Sequence, residues 1–269
     1  MSTSTPLAFV LVPGGYCLPT QFERVTERLN ALEHTVQPIH LPSVGRAFSE
    51  RNGRPATYYD DADHVNSVIA SLADSGHNVI AAGSSYGGWV ITEAAKGLSK
   101  AERDGSGKNG SGALVGLVYL ASMLSEVGFN LAQLLEGKVM VPVSDKFDVD
   151  FLDPPPAEVA GPVLCSELED KEEQIRYAKM MDIFSTRVYA DKLRHAGWKV
   201  VPTTVVVAAR DKTLDPSLAH ESFERAVKVL ETEGKPITVK KVVLEADHLC
   251  MISQPDKVVE ILLDATRSG

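Results

Sequence analysis

Val79-Ile80-Ala81-Ala82-Gly83-Ser84-Ser85-Tyr86-Gly87-Gly88-Trp89-Val90-Ile91 is the stretch that decides the fold, because an apolar run leads through a glycine-flanked turn into the start of a helix. Gly83 to Gly87 fit G-x-S-x-G, in which a serine sits on a sharp turn between a strand and a helix. The turn needs glycines because side chains would collide where strand and helix approach closely. Glycine-rich turns of this kind also bind phosphate at a helix N-terminus. However, the Gly-Lys-Ser/Thr ending of a P-loop and the G-x-G-x-x-G spacing of a dinucleotide-binding turn are both missing here. Ser85 is therefore the candidate nucleophile.

Five further predicted strands alternate with helical patterns along the chain. Strands are predicted over residues 7–12, 35–39, 79–82, 113–121, 203–209 and 238–244, and helices over residues 21–32 and 60–73. This alternation predicts an α/β fold with a mostly parallel sheet of about six strands and helices on both faces. Ligands bind at the carboxyl ends of the strands in such sheets.

Two residues that complete a catalytic triad follow the last two predicted strands. Asp211 comes directly after the fifth strand, and His248 follows the sixth. A nucleophile, an acid and a base in this order, each after a strand, would meet at one edge of the sheet. Asp215 is a competing carboxylate, but it precedes Pro216, and this pair is typical of a helix start. We therefore expect Asp211 to be the acid and Asp215 to be a helix cap.

The regular alternation breaks between Ser122 and Trp198, where short helices are predicted over Lys171–Met181 and Thr186–His195. We interpret residues 122–198 as a mainly helical cap inserted into a single domain of residues 1–269. The cap carries large apolar residues that would roof a pocket or pack the cap itself: Met123, Leu124, Phe129, Met140, Phe151, Met180, Met181 and Phe184.

Two local structures are also predicted. Residues 101–112 are rich in charged residues, glycine and serine, which indicates a solvated loop. Near the C-terminus, Ser253 and Asp256 have the spacing of a capping box at the start of a helix that contains Val258 and Leu262.

Composition narrows the classes of partner. The chain has 269 residues, of which 44% are hydrophobic, so it can bury one large core. Its formal charge of −9 and its lack of a long basic run argue against nucleic acid and anionic membranes as partners. Cys17, Cys165 and Cys250 form no C-x-x-C pair, which predicts neither a disulfide framework nor a zinc site and favours the cytoplasm. We expect a small-molecule substrate, no metal and no other cofactor, and either a monomer or a homodimer.

The sequence resembles the α/β-hydrolase superfamily, and within it the small cap-bearing group that includes plant methyl-ester esterases, hydroxynitrile lyases and microbial α/β-fold hydrolases. The resemblance covers nearly the whole chain. Relatives usually carry His-Gly where this chain has Pro13-Gly14. The matching motifs are residues 9–15, residues 41–45, the serine turn, residues 116–121, residues 209–211 and residues 246–248.

The resemblance implies a mechanism. His248 would take the proton of Ser85, Asp211 would orient the imidazole, and Ser85 would form an acyl-enzyme that water hydrolyses. By similarity, the backbone N–H groups of Gly15 and Tyr86 would form the oxyanion hole. We expect the following residues to line the substrate pocket: Tyr16, Cys17, Met123, Leu124, Phe129, Met180, Phe184 and Leu249.

Three functions from different classes remain open. The first is a serine hydrolase that cleaves a carboxylic ester or lactone of a small, moderately apolar molecule. The second is a non-hydrolytic or carbon–carbon-cleaving tailoring enzyme, such as a lyase or cyclase, and the third is a ligand-binding protein with a vestigial triad. Leu249 stands where hydroxynitrile lyases of this group carry a lysine, which disfavours cyanohydrin cleavage. A trapped acyl-enzyme would favour the hydrolase over the second function.

Overall fold

Parallel strands form the centre of the computed structural model, which describes residues 7–46, 53–108, 111–135 and 149–265. The strands are β1 (Leu7–Val12), β2 (Thr35–Pro38), β3 (Asn78–Ser84), β4 (Leu114–Leu120), β5 (Phe151–Leu152), β6 (Phe184–Ser185), β7 (Thr203–Ala208) and β8 (Val239–Leu244). Six of them form one sheet in the order β2-β1-β3-β4-β7-β8, in which all neighbours are parallel. The predicted α/β fold with a parallel six-stranded sheet is confirmed.

Helices follow the strands along the chain. They are α1 (Glu23–Ala31), α2 (Tyr58–Asp74), α3 (Tyr86–Ala94), α4 (Lys100–Gly105), α5 (Leu131–Leu135), α6 (Ala157–Leu164), α7 (Lys171–Lys179), α8 (Pro216–Thr232), α9 (Cys250–Ser253) and α10 (Pro255–Asp264). Single 3₁₀ turns cover Pro19–Phe22, Thr186–Tyr189 and Gly197–Lys199. Within the described ranges, no helix combines the length and the hydropathy that crossing a bilayer requires.

The core has two halves, one on each face of the sheet. Alternate side chains of β1 point to opposite faces, so Val10 packs with α2 and α3 in one half, while Phe9 and Leu11 pack with α1 and α10 in the other. Burial on both faces explains why β1 is a continuous apolar run rather than an alternating pattern.

The order of the strands sets the place of the site. From β1 the chain crosses to β2 at one edge and then returns past β1 to β3, so the connections leave β1 and β3 in opposite directions. A crevice forms where neighbouring parallel strands connect in this way, outside their carboxyl ends. The loop after β1 and the serine turn after β3 both lie at this crevice.

A long segment separates β4 from β7 in the chain, although the two strands are neighbours in the sheet. This inserted segment, residues 121–202, holds α5, α6, α7 and the small antiparallel pair β5–β6. Its interpretation as a cap stays a prediction, and Met140 lies outside the described residues. The predicted helix over residues 186–195 is wrong beyond Tyr189, because the chain then pairs with Asn130 at Lys192 and its next N–H groups bind the Glu93 carboxylate.

Two other local predictions are corrected. Residues 100–105 form α4 rather than a loop, because Ser99 and Glu102 make a reciprocal capping box that starts the helix. The expected capping box of Ser253 with Asp256 is absent. The Ser253 hydroxyl instead donates to Asp247 Oδ1 at 2.8 Å, and α10 starts after Gln254 with Pro255 in its first turn.

Candidate active site

Ser85 occupies a strained turn between β3 and α3. Its φ of 50° and ψ of −120° lie in a region that non-glycine residues rarely adopt. Three hydrogen bonds hold it there: its N–H donates to Leu120 O at 3.0 Å, and its carbonyl accepts from Gly88 N at 3.0 Å and from Ser122 Oγ at 2.7 Å. The serine side chain is thereby fixed at the carboxyl end of the sheet.

The glycines beside Ser85 are required by close backbone contacts. A Cβ on Gly83 would lie 2.3 Å from the carbonyl carbon of Gly87. A Cβ on Gly87 would lie 2.3 Å from Val12 O, in the strand next to β3. No other residue type fits either position without moving backbone, which agrees with the reason given for G-x-S-x-G above.

His248 and Asp211 lie together at the ends of neighbouring strands. His248 Nδ1 is 2.6 Å from Asp211 Oδ2, and their side chains are only 4% and 2% exposed. The other oxygen of Asp211 accepts from the N–H groups of Thr213 at 2.7 Å and Leu214 at 2.9 Å, which fixes the carboxylate. Since an ionised carboxylate only accepts hydrogen bonds, Nδ1 carries the proton and Nε2 is left as a base. Asp215 is placed elsewhere, as the N-cap of α8, accepting from Ser217 N at 2.9 Å.

Ser85 and His248 line one cavity of about 410 Å³ above the carboxyl edge of the sheet. Its wall is mostly apolar. Helix α3, which begins after Ser85, contributes Trp89 to this wall. The inserted segment contributes Leu131 and Leu135 of α5 and Val159 and Val163 of α6. The structure therefore brings the candidate nucleophile and the His248–Asp211 pair to one apolar chamber.

Five of the residues expected to line the pocket do so: Tyr16, Cys17, Met123, Phe184 and Leu249. Three others lie elsewhere, which corrects that expectation. Leu124 is 2% exposed and packs in the sheet core. Phe129 is 46% exposed, because its backbone pairs with Leu193 at the surface. Met180 lines a separate, smaller hollow near Tyr177.

The lining residues that sequence reasoning missed carry a usable signal. Trp89 lies four residues after Ser85, one helical turn along α3 and on the same face. Leu131 with Leu135, and Val159 with Val163, have the same four-residue spacing. Helical periodicity counted from the nucleophile and along α5 and α6 would have found them.

Two backbone N–H groups line the cavity beside Ser85. Among the described residues, neither Gly15 N nor Tyr86 N has a hydrogen-bond acceptor, whereas the neighbouring Gly14 N donates to Gln21 Oε1 at 3.1 Å. The Phe184 ring covers both residues. It would lie 2.9 Å from a Cβ on Gly15, and its centroid lies 5.1 Å from that of Tyr86. Both N–H groups can therefore donate hydrogen bonds to an oxygen atom on the cavity side.

Other polar atoms along the cavity wall also lack partners within the described ranges. They are Gln21 Nε2, Trp89 Nε1 and Thr213 Oγ1. Buried polar groups of this kind are uncommon in folded proteins. Across all residues that the structure describes, no group of three or more His, Cys, Asp or Glu side chains is arranged to hold a metal ion.

Asp61 is a buried carboxyl behind the serine turn. It is 0% exposed, its Oδ1 accepts from Ser43 N at 2.9 Å, and its Oδ2 accepts from the Tyr86 hydroxyl at 2.7 Å. Burial raises its pKa to about 7, against the lowering effect of these hydrogen bonds. Sequence reasoning missed it, although its spacing to Val65 and Ile69 places it on the apolar face of α2.

A short turn of the inserted segment is fastened to the residues that flank both members of the His248–Asp211 pair. This turn, residues 164–167, provides the carbonyl of Leu164, which accepts from Leu249 N at 3.0 Å. It also provides Glu167, whose N–H donates to Asp247 Oδ2 at 2.9 Å and whose carboxylate pairs with Arg210 at 2.7 Å. The inserted segment is thus joined to the site on the side of the base and the acid.

Comparisons with known proteins agree with this architecture. The chain is 24% identical over 261 residues to the alpha/beta hydrolase nvfD of Aspergillus novofumigatus (strain IBT 16806), covering 96% of both chains. Among solved structures, it superposes on an extracellular alpha/beta-hydrolase from a Paenibacillus species with a TM-score of 0.71 and 15% identity, covering 97% of this chain and 100% of that one. It superposes on polyneuridine aldehyde esterase with a TM-score of 0.63 and 20% identity, covering 96% and 98%. Because the model of the alpha/beta hydrolase family also matches residues 9–261, the chain belongs to that family.

Proposed function

We propose that this protein is a serine hydrolase that cleaves a carboxylic ester or lactone of a small, moderately apolar molecule through an acyl-enzyme. The observation that carries the proposal is the 2.6 Å contact of His248 Nδ1 with Asp211 Oδ2 beside a cavity that Ser85 also lines. A nucleophile on a strained turn with an oriented base is the arrangement that activates serine. The proposal is also supported by two similar proteins, one named an alpha/beta hydrolase and the other polyneuridine aldehyde esterase.

In the proposed mechanism, the Ser85 hydroxyl oxygen attacks the ester carbonyl carbon while its proton passes to His248 Nε2. The carboxylate of Asp211 stabilises the imidazolium that results. The N–H groups of Gly15 and Tyr86 donate hydrogen bonds that stabilise the negative charge on the carbonyl oxygen, and one such donor is typically worth about 10²–10³ in turnover. Collapse of the tetrahedral intermediate breaks the bond to the alcohol, which takes the proton from the imidazolium.

The acyl-enzyme is then hydrolysed by the same groups. His248 removes a proton from water, the hydroxide attacks the acyl carbon, and the carboxylic acid leaves as Ser85 recovers its proton. The substrate class follows from the cavity, whose size of about 410 Å³ and apolar wall suit a small apolar ester rather than a polymer or a charged molecule. The inserted segment would act as the cap over this chamber. The proposal includes a cytoplasmic location, supported by three free, buried cysteines.

A matched pair of serine variants tests the proposal. A fluorophosphonate probe should label Ser85 in the wild type, as read by mass spectrometry of the labelled peptide, and a panel of aryl esters and lactones should be hydrolysed. Ser85→Ala should abolish both. Ser84→Ala is the control, because Ser84 is fully buried behind the turn and should leave labelling and turnover in place. A folded wild type that hydrolyses none of the panel and takes no label would refute the proposed function.

A further inference from the structure

The oxyanion hole depends on a tight turn that follows β1. Residues 14–17 form this turn, which Cys17 N closes by donating to Gly14 O at 3.2 Å. Tyr16, the third residue of the turn, has a φ of 65°, and a positive φ is what type II turns require there. The turn lies against the nucleophile, because a Cβ on Gly14 would be 3.3 Å from that of Ser85. A small shift of the turn would therefore move the oxyanion hole relative to the nucleophile.

The turn directs the Gly15 N–H to the cavity. The peptide between Gly14 and Gly15 is trans, so its carbonyl and its N–H point in opposite directions. Because the Gly14 carbonyl points into the turn to meet Cys17 N, the Gly15 N–H points out of the turn. Gly15 lines the chamber, and its N–H has no acceptor among the described residues. The direction of this donor is thus set by how Gly14 is held.

Gln21 holds Gly14 through the Gly14 N–H. Gln21 is only 5% exposed and lies in the 3₁₀ turn Pro19–Phe22 that leads into α1, and its Oε1 accepts from Gly14 N at 3.1 Å. A backbone N–H only donates, so the amide oxygen must face Gly14 and the orientation of the carboxamide is fixed. Pro13 has no N–H that could hold the loop at its start. Gln21 therefore ties the start of the oxyanion turn to the residues that begin α1.

Packing alone does not explain a glutamine at this position. The Gln21 Nε2 atom is buried and has no partner within the described ranges, and a buried donor without an acceptor is destabilising. An apolar side chain of the same length would fill the space without an unpaired donor. Among the described residues, the carboxamide makes its hydrogen bond to Gly14 N. The acceptor oxygen is therefore what glutamine contributes here.

We propose that Gln21 is a positioning residue for the oxyanion hole. It does not touch the reacting atoms. By fixing Gly14, it holds the Gly15 N–H at the place where the carbonyl oxygen of the substrate becomes negative. The inference rests on the proposed function, in which Gly15 N–H is an oxyanion donor. Because a preorganised donor needs no reorganisation during the reaction, loss of the Gln21 oxygen weakens stabilisation of the tetrahedral state and leaves ground-state binding in the chamber unchanged.

Two ketones of equal length separate these effects. The Ser85 hydroxyl oxygen attacks a ten-carbon trifluoromethyl ketone: a C–O bond forms, the proton passes to His248 Nε2, and the carbonyl oxygen takes the negative charge. The ten-carbon methyl ketone has the same chain, but its carbonyl is too weakly electrophilic to be trapped. Calorimetry gives the two affinities, and fluorine NMR of wild type and Ser85→Ala identifies the Ser85 adduct. The affinity ratio measures stabilisation of the oxyanion, since packing of the chain is common to both ligands.

Two substitutions of Gln21 are compared with a matched control. Gln21→Met keeps the length of the side chain and removes the acceptor oxygen, and Gln21→Asn withdraws the oxygen from Gly14 by one methylene. Each should lower the affinity ratio by about tenfold, the lower range for a hydrogen bond to a charged group, with the affinity for the methyl ketone unchanged. Gln174→Met alters another buried glutamine, whose amide donates to Leu168 O at 2.7 Å and which does not line the chamber, and it should keep the full ratio.

The outcomes separate the inference from the proposed function. A wild-type ratio in Gln21→Met, or in Gln21→Asn where Gln21→Met does not fold, would overturn the inference and leave the proposed function standing. Equal weakening of both ketones would also overturn it, because Gln21 would then only shape the chamber. If the wild type binds both ketones equally and forms no Ser85 adduct, the proposed function fails and the inference fails with it.

Discussion

Replacing Asp61 by Asn should change how the stability of the protein depends on pH. Asp61 is fully buried, and burial raises its pKa to about 7. Asparagine keeps the shape, its oxygen still accepts from Ser43 N, and its amide can donate to the Tyr86 oxygen. The Tyr86 proton then turns to Ser43 Oγ, which otherwise has no partner in the described part of the chain. The variant thus removes the ionisation and keeps the packing.

The direction of the pH dependence follows from comparing the pKa of Asp61 in the folded and the unfolded protein. In the unfolded chain an aspartate titrates near pH 4, whereas in the folded protein Asp61 holds its proton up to about pH 7. Between these values the folded state binds more protons, so the contribution of Asp61 to stability is greatest below pH 4 and is lost as the pH rises from 4 through 7. At 1.36 kcal/mol per pH unit, the two units from pH 5 to pH 7 give a loss of about 2.5 kcal/mol by pH 8.

The assay is urea unfolding of wild type and Asp61→Asn at pH 5, 6, 7 and 8, with the difference in free energy of unfolding plotted against pH. Every other titrating group is common to both proteins, so the difference isolates Asp61. Asp63→Asn, which changes an exposed carboxylate on the same helix, is the matched control and should track the wild type. If the wild-type and Asp61→Asn curves run parallel within about 0.5 kcal/mol, the buried carboxyl ionises like an exposed one and the reasoning fails.

Three further predictions concern single side chains. Asp211→Asn should lower turnover by about 10⁴, since the wrong imidazole tautomer would face Ser85. Asp215→Asn should leave turnover and stability nearly unchanged, and Asp215→Ala should lower the free energy of unfolding, measured in urea, by about 0.5–2 kcal/mol. If Asp215→Asn loses turnover and Asp211→Asn does not, the acid is Asp215. Gly87→Val should fail to fold, because its Cβ would lie 2.3 Å from Val12 O, and a normal circular dichroism melt would contradict this. Cys17 should resist iodoacetamide at pH 8 until urea unfolds the protein, because burial raises its pKa to about 12; rapid alkylation of the native protein, read by mass spectrometry, would show that the thiol is accessible.

Much of the sheet was predictable because its signals are local. The inner strands β1, β3, β4 and β7 are short runs of mostly apolar residues, and burial on both faces makes such runs conspicuous. The serine turn was predictable because its motif is contiguous in the sequence. Gly83 is required by its contact with Gly87, four residues later, whereas the contact that requires Gly87 is with the distant Val12 O. The position of Asp211 followed from its place at a strand end.

The parts of the fold and of the site that were not predicted depend mainly on contacts between residues far apart in the sequence. Nothing near Phe184 in the chain indicates that its ring covers Gly15 and Tyr86, which precede it by about 170 and 100 residues. Likewise, Ser253 fits a capping box by spacing, yet its hydroxyl binds Asp247, a competing partner that only the folded loop presents. Within the inserted segment the helices are short, so hydrophobic periodicity has too few turns to locate their ends.

The fastening of residues 164–167 to the loop of His248 limits how the substrate range of this protein can be redesigned. A cassette exchange that replaces the whole inserted segment with that of a relative would also discard the partners of Leu249, Asp247 and Arg210. Libraries should therefore keep this turn and vary Val159 and Val163, which line the chamber on the helix that leads into it. Selectivity can then be altered on α6 while the turn that supports the base is inherited unchanged.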